Sequence, residues 1–185
     1  MESRFVEDLE HRCGGTWTAL HRSRTETDSL LERVRRELAA SSTFDTSVVV
    51  TGSVGRGEVT RGSDFDWMLL VDGASNPDHY KLTRTIAEAL KALGLKPPGR
   101  EQIFGELVSS HELVHHIAGT RDTNENLTRR ILLLLESRAV TNSGLRDRVI
   151  RNVLARYIRH DRPIASSSGE LGRIPHFLLN DIVRY

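Results

Sequence analysis

The sequence predicts an α+β fold, in which helices pack on a small mixed β-sheet and an all-helical part follows at the C-terminus. Three observations lead to this prediction. Short apolar runs at Val48–Val50 and Phe65–Val71 end near glycines, which is typical of buried strands. Longer segments repeat apolar residues at helical spacing, and such segments dominate the C-terminal third. The strands therefore cluster in the middle of the chain, with helices on either side.

Composition excludes several other classes of protein. The 185 residues are 38% hydrophobic and 28% charged, with a formal net charge of +1, which is typical of a globular domain rather than a disordered tail. No apolar run approaches the roughly 18–20 residues that a membrane-spanning helix requires. Cys13 is the only cysteine, so a disulfide framework cannot form within one chain. The N-terminus shows no apolar signal segment, and we expect a cytoplasmic protein.

The individual elements follow from local patterns. A helix is predicted over 29–40, where four apolar residues share one face. Another begins after Pro77 and is closed by Gly94. The apolar run 131–135 predicts a helix that is buried in a bundle or packed on the sheet. The remaining predictions are a third strand at 103–108, helices at 126–136, 145–158 and 177–185, and a linker at 163–175.

Three segments are expected along the chain. They are an N-terminal helical segment at 1–44, a core at 45–118 and a C-terminal helical region at 119–185. The last predicted helix reaches Tyr185 without a glycine, a polar tail or another stop signal. We therefore expect the chain to be the N-terminal part of a longer protein.

The most informative stretch lies between the first two predicted strands. The first strand ends at Gly52-Ser53, where glycine allows close approach to a ligand and the following N–H groups open toward an anion. Ten residues separate Ser53 from Asp64, and Asp66 follows two positions later. Side chains at i and i+2 of a strand share one face, about 7 Å apart at their Cα atoms. Divalent cations would relieve the repulsion between these two carboxylates and would suit phosphoryl or nucleotidyl transfer.

These elements resemble the signature of the DNA polymerase β-like nucleotidyltransferase superfamily. The branch that holds protein, aminoglycoside and minimal nucleotidyltransferases has a similar fuller pattern, which here reads Gly52-Ser53-x-x-Arg56-Gly57-Glu58 followed by Gly62-Ser63-Asp64-x-Asp66. The resemblance extends over about residues 45–110. It implies an enzyme that uses two Mg²⁺ ions to move NMP, with ATP as the expected donor, to a hydroxyl with release of pyrophosphate. The implied acceptor is a protein side chain, a small molecule or an RNA end.

The resemblance also implies a role for each matched position. Asp64 and Asp66 would hold the metal ions, and Ser63 would support the strand that carries them. The residues expected at the triphosphate are Gly52, Ser53 and Arg56, with Arg61 as a weaker candidate. Glu58 is expected to pair locally with an arginine.

The family uses a third carboxylate, on a later strand, as a metal ligand and as the base that deprotonates the acceptor. Glu106 is the residue expected here, although the family more often has Asp at this position. Glu101 and Glu112 are the fallbacks. If none of them lies near Asp64 and Asp66, the alternative is a non-catalytic, nucleotide-binding regulatory module on the same fold.

Two further patterns in the sequence carry basic or metal-binding residue types. Arg129 and Arg130 open the leucine-rich helix and could reach a triphosphate, although an ordinary solvated pair is the favoured interpretation. The run His111-Glu112-Leu113-Val114-His115 matches H-E-x-x-H, in which two histidines on one helical face bind Zn²⁺ in a metallopeptidase. Its third ligand would have to be Glu136 or Asp122. An exposed polar helix face is the favoured interpretation of this motif.

Overall fold

The computed structural model describes residues 3–99, 103–160 and 176–185, and these form an α+β fold, as predicted. The helices are α1 (Ser3–Cys13), α2 (Thr18–Glu37), α3 (Gly52–Arg56), α4 (Pro77–Ala92), α5 (Ser110–His115), α6 (Asn124–Glu136), α7 (Ser143–His160) and α8 (His176–Arg184). The strands are β1 (Thr46–Val50), β2 (Trp67–Val71), β3 (Glu106–Ser109) and β4 (Arg138–Ala139).

The four strands form one mixed sheet in the order β3-β2-β1-β4. The central pair, β1 and β2, is antiparallel, and Val50 lies opposite Trp67. β4 is antiparallel to β1, whereas β3 is parallel to β2 and places Glu106 beside Met68. Because β2 and β3 are parallel, their carboxyl ends lie at the same edge of the sheet.

The two faces of the sheet bury two separate apolar cores, because successive side chains of a strand point to opposite faces. Val48 and Val50 of β1 pack against α2 and α4, in a core that includes Leu31 and Ile86. Val49, between them, faces the opposite core. Its partners on that side come from β2, β3, α5, α6 and α7 and include Met68, Val108, Leu113, Leu133 and Val149. The molecule therefore has helices on both faces of a single sheet.

Several predicted boundaries shift in the structure. The third strand begins at Glu106 rather than at 103, because Gly105 has a φ of 83° and donates its N–H to the Trp67 carbonyl at 2.7 Å. The glycine-rich segment after β1 contains the short helix α3, within the limit that the sequence allowed. The helix predicted over 29–40 is longer and begins at Thr18. The two-residue strand β4 was missed, since two residues carry no periodic signal.

The C-terminal part of the chain contributes directly to the sheet and its packing. β4 pairs with β1, and α6 and α7 cover one face of the sheet. The division into 1–44, 45–118 and 119–185 stays a prediction, and the predicted linker at 163–175 lies outside the described residues. Within the described ranges, no helix is both long and apolar enough to cross a membrane.

Arg130 is fully buried in a charged network that joins the C-terminal helices. Its guanidinium donates to both oxygens of Asp122, at 3.0 and 2.8 Å, and to Oδ2 of Asp181 at 2.8 Å. Its Nε donates to the Tyr157 hydroxyl at 2.6 Å, and this hydroxyl donates to Asp181. Burial, and then Asp181, raise the pKa of Tyr157, so its hydroxyl stays protonated and remains a donor. Arg130 thus fastens α8 to α6 and α7. The solvated pair expected at 129–130 was wrong for both residues, because Arg129 is buried as well.

Candidate active site

The end of β1 and the start of β2 bring the glycine and aspartate parts of the motif together. The N–H of Thr51 donates to the Asp66 carbonyl at 3.0 Å, which extends the antiparallel pairing beyond the strands. Gly52 therefore lies against the Asp66 carboxylate, and a Cβ added at Gly52 would lie 2.8 Å from Oδ2. Gly52 also has a φ of 62°, a conformation that favours glycine. Two independent constraints thus require glycine at this position.

Asp66 is half-buried among like charges. Its pKa is raised by burial first, and then by the negative charges of Asp64 and Glu136. Asp64 has a cation beside it, because Lys96 Nζ lies 2.5 Å from its Oδ1. The Lys96 carbonyl accepts the Phe65 N–H at 2.9 Å, which fastens the loop after α4 to the segment that enters β2. Of the two aspartates, Asp66 is the one whose charge the protein leaves least compensated.

Glu136, the last residue of α6, completes this group of carboxylates. Its Oε1 accepts the backbone N–H of Gly52 at 2.8 Å, and its Oε2 accepts Nη1 of Arg56 at 2.6 Å. Glu136, and then Glu58, raise the pKa of Arg56 above its ordinary value. A backbone N–H and a guanidinium that converge on one carboxylate form a site suited to an anion. The sequence had suggested Glu136 only as a third ligand of the zinc motif.

Close packing of α3 on the end of α6 places Glu136 at the site. Gly55 lies directly under the Glu136 backbone, and a Cβ added there would lie 1.9 Å from the Glu136 carbonyl oxygen. The next glycine, Gly57, has a φ of 79° and ends α3 in the left-handed conformation. Gly55 is an unspecified position of the motif, and the sequence analysis missed its packing role. A glycine inside a helical stretch was the signal that could have found it.

The other residues of the motif shape the loop between α3 and β2. Ser63 Oγ accepts the N–H of Thr60 at 3.0 Å and holds the turn before Asp64. Glu58 pairs with Nε of Arg56 at 2.7 Å, the local pairing that the sequence predicted. The carbonyl of Ser53 accepts the Glu58 N–H at 2.7 Å. The triphosphate-binding role of Ser53 stays a prediction, as does that of Arg61, which is exposed.

Glu106 lies on the same face of the sheet as Asp66. It stands beside Met68 in the parallel pairing, and Met68 and Asp66 are two positions apart. Its exposed carboxylate pairs with Nη2 of Arg129 at 3.4 Å, and Arg129 also donates from Nε to the Ile103 carbonyl at 2.7 Å. Its role as third carboxylate stays a prediction. Of the fallbacks, Glu101 lies outside the described residues, and Glu112 is exposed on α5.

The H-E-x-x-H motif lies on α5, and the structure does not bring its expected third ligands to it. His111 and His115 stack with ring centroids 4.6 Å apart. Asp122 is committed to Arg130, and Glu136 to Gly52 and Arg56. The pKa of His115 is lowered by burial first, and then by the positive charges of neighbouring groups. A zinc peptidase site built on Asp122 or Glu136 therefore does not fit this arrangement.

The carboxylate oxygens of the two aspartates are ligands that suit a hard divalent cation. Asp64 and Asp66 offer oxygen ligands, and burial, followed by the charges of Asp64 and Glu136, raises the pKa of Asp66, whose negative charge a bound cation would compensate. Within the described part of the chain, no three His, Cys, Asp or Glu side chains are close enough to form a complete metal site. Mg²⁺ commonly uses one or two carboxylates together with water and substrate phosphates, so two aspartates suffice.

Comparison with known families agrees with this geometry. The model of the nucleotidyltransferase domain family matches residues 30–105, a range that contains Gly52, Ser53, Arg56 and both aspartates. The chain therefore carries a nucleotidyltransferase domain, consistent with the DNA polymerase β-like superfamily, and the resemblance seen in the sequence is confirmed. Domains of this family transfer nucleoside monophosphates. No curated protein matches the chain.

Proposed function

We propose that this protein transfers AMP from ATP to a hydroxyl acceptor and releases pyrophosphate, with Mg²⁺ held by Asp64 and Asp66. The contact between Gly52 and the Asp66 carboxylate is the observation that carries this proposal. In this contact the Gly52 backbone, which we expect to bind the triphosphate, lies directly beside the Asp66 carboxylate, which we expect to bind the metal ion. When bound, Mg²⁺ would stabilise the charge that develops on the reacting phosphate.

The protein's own groups have separate tasks in this proposal. The Gly52 N–H and the Arg56 guanidinium already converge on a carboxylate, and the same donors suit the oxygens of a polyphosphate. Ser53 adds a hydroxyl donor beside them. Glu106 accepts the proton of the attacking hydroxyl.

Nucleotide binding without transfer is the second candidate function. It is favoured by Glu106, whose carboxylate pairs with Arg129, so the residue expected to deprotonate an acceptor is already engaged. In this alternative the protein would bind ATP as a regulatory ligand, and the carboxylates would not activate an acceptor.

Transfer and binding can be measured separately. ATP labelled at the α-phosphate is incubated with Mg²⁺, the protein and fractions of a cell extract that contain proteins, RNA or small molecules. Label appearing in one fraction, and lost in both Asp64→Asn and Asp66→Asn, is the result expected for a transferase. Asp78→Asn, which changes an exposed carboxylate on α4, is the matched control and should retain transfer.

Calorimetric titration with ATP distinguishes the two candidates. Binding of ATP with no labelled acceptor in any fraction would leave the regulatory function. Transfer that survives in Asp64→Asn or Asp66→Asn would refute the assignment of these residues as metal ligands. Absence of both binding and transfer would refute both candidates.

A further inference from the structure

A second polar cavity, of about 460 Å³, lies at the opposite end of the sheet from the candidate active site. It is located where the parallel strands β2 and β3 end, since its lining includes Asp72 after β2 and Ser110 after β3. Asp66 precedes β2, and six residues at about 3.3 Å each place Asp72 roughly 20 Å away from it. The cavity is therefore separate from the two aspartates.

Nitrogen-bearing side chains from two helices face this cavity. His111 and His115 come from α5, and Arg156 and Arg159 come from α7. Residues three or four apart on a helix share one face, so each pair points to the same side of its helix. Two imidazoles and two guanidinium groups thus line one space and offer it several hydrogen-bond donors.

Asp72 is the carboxylate in this lining, and both of its oxygens are already engaged. Oδ1 accepts the hydroxyl of Ser110 at 2.7 Å, and Oδ2 accepts Nε of Arg148 at 2.7 Å. Arg148 lies on α7 but is not part of the lining. Asp72 therefore forms its ion pair with Arg148 and not with the arginines that line the cavity.

Arg156 shows that this cluster lacks an acceptor. Its Nε atom is buried and has no hydrogen-bond partner among the residues that the structure describes. A buried donor without an acceptor destabilises a protein, and donors of this kind at a cavity are satisfied when a ligand supplies the acceptor. Arg156 and Arg159 carry positive charge into the cavity, and the carboxylate of its lining is engaged by Arg148, so the acceptor that fits is an anion.

We propose that this cavity binds a phosphate dianion, either free or carried by a small phosphorylated molecule, at a site separate from the triphosphate site. Guanidinium groups match phosphate oxygens with paired N–H donors, and imidazoles add further N–H groups. The volume is within the roughly 300–1,000 Å³ of small-molecule sites, so it also admits the organic part of a phosphate ester. The ligand is a second one for this protein, and the site does not depend on the proposed transfer reaction.

The test follows the histidine ring resonances by NMR during titration with inorganic phosphate and, separately, with a pentose phosphate. Both ligands are expected to shift His111 and His115 in a saturable manner. Tighter binding of the pentose phosphate assigns the site to phosphorylated small molecules, and equal binding assigns it to free phosphate. Shifts that never saturate, or no shifts, would overturn the proposal.

Variants locate the binding. Arg156→Gln is expected to weaken phosphate binding by about tenfold or more, since it removes a charge-assisted contact. If Arg156→Gln fails to fold, His111→Gln replaces it as the test variant, because His111 is exposed, and it should also weaken phosphate binding. Arg56→Gln is the matched control at the active site and should leave the histidine shifts unchanged. Loss of the shifts in Arg56→Gln alone, or saturable binding of Zn²⁺ but not of phosphate, would overturn the proposal.

Discussion

The backbone N–H of Gly52 donates a hydrogen bond of 2.8 Å to Oε1 of Glu136, 84 residues further along the chain. The other oxygen of this carboxylate accepts Arg56 at 2.6 Å. Glu136 therefore holds the place that an anionic ligand would take between a backbone N–H and a guanidinium. A triphosphate can use these two donors only when Glu136 releases them.

We expect Glu136→Gln to tighten ATP binding in the absence of metal by about tenfold. The variant removes a negative charge from the triphosphate site, and a hydrogen bond to a charged group is worth about 1.5–3 kcal/mol. Calorimetric titration measures the change. Glu58→Gln is the matched control, because Glu58 also pairs with Arg56 but is half exposed, and its effect should stay within about twofold. Weaker ATP binding in Glu136→Gln would show that Glu136 supports the nucleotide rather than competing with it.

Asp66→Asn should raise the melting temperature at neutral pH in the presence of EDTA. The raised pKa of Asp66 means that the folded protein disfavours its charged form, so removing the charge relieves first the cost of burying it and then the repulsion from Asp64 and Glu136. Asp64→Asn should bring no such gain, because Lys96 already compensates that carboxylate. Mg²⁺ should stabilise the parent protein but neither variant. A lower melting temperature in Asp66→Asn would contradict our inference that the charged form of Asp66 destabilises the folded protein.

Gly55→Ala should destabilise the protein by about 3 kcal/mol or more. The added Cβ would meet the Glu136 carbonyl at 1.9 Å, and α3 would have to move away from α6. Urea unfolding measures the loss. Gly144→Ala, another helical glycine, meets nothing closer than 3.9 Å and should be neutral or stabilising by up to about 1 kcal/mol. An equal effect of the two substitutions would show that α3 does not depend on this close contact.

Asp45→Asn should lower stability at pH 7 and have less effect below about pH 4. The Thr43 hydroxyl donates to Asp45 at 2.8 Å and His79 lies 3.0 Å away, and these contacts, Thr43 first, lower the pKa of Asp45 despite the opposing effect of burial. A carboxyl with a lowered folded-state pKa contributes stability above its unfolded-state pKa, and that stability is lost as the pH falls through the folded-state value.

At pH 7 we expect Asp45→Asn to lower the free energy of unfolding by about 1–2 kcal/mol. Urea unfolding at pH 7 and at pH 3 measures this change. Asp78→Asn is the control, since the pKa of Asp78 is also lowered, by Lys81, but its side chain is exposed and screened by solvent. It should change stability by only a few tenths of a kcal/mol. A constant effect of Asp45→Asn across this pH range would show that its charge does not matter.

The part of the site that the sequence predicted is local in the chain. Gly52 and Asp66 are joined by a single antiparallel connection, so strand alternation and a short gap were enough to bring them together. The buried strands were also predicted from local sequence, because a short apolar run such as Val48–Val50 indicates a buried strand by itself. Strand ends were less certain, and the positive φ of Gly105 moved the third strand.

Residues that act across the fold were missed or misread. Arg130 looked like a solvated surface residue, since nothing near it in the chain indicates that Asp122 and Asp181 enclose it. Gly55 looked like an unspecified position of the motif, because the backbone that it must admit belongs to α6. For each residue a decisive neighbour lies on another helix, Asp181 on α8 for Arg130 and Glu136 on α6 for Gly55.

The sequence by itself determined that Gly52-Ser53 follows one strand and that Asp64-x-Asp66 leads into the next, a pattern typical of a nucleotidyltransferase domain. Only the tertiary structure decided that Glu136 binds the Gly52 N–H, that Lys96 compensates Asp64, and that a cluster of histidine and arginine side chains lines a cavity at the far edge. The physical reason is that strand periodicity acts over a few residues, whereas charge pairing and close packing depend on how helices from distant parts of the chain dock on the sheet.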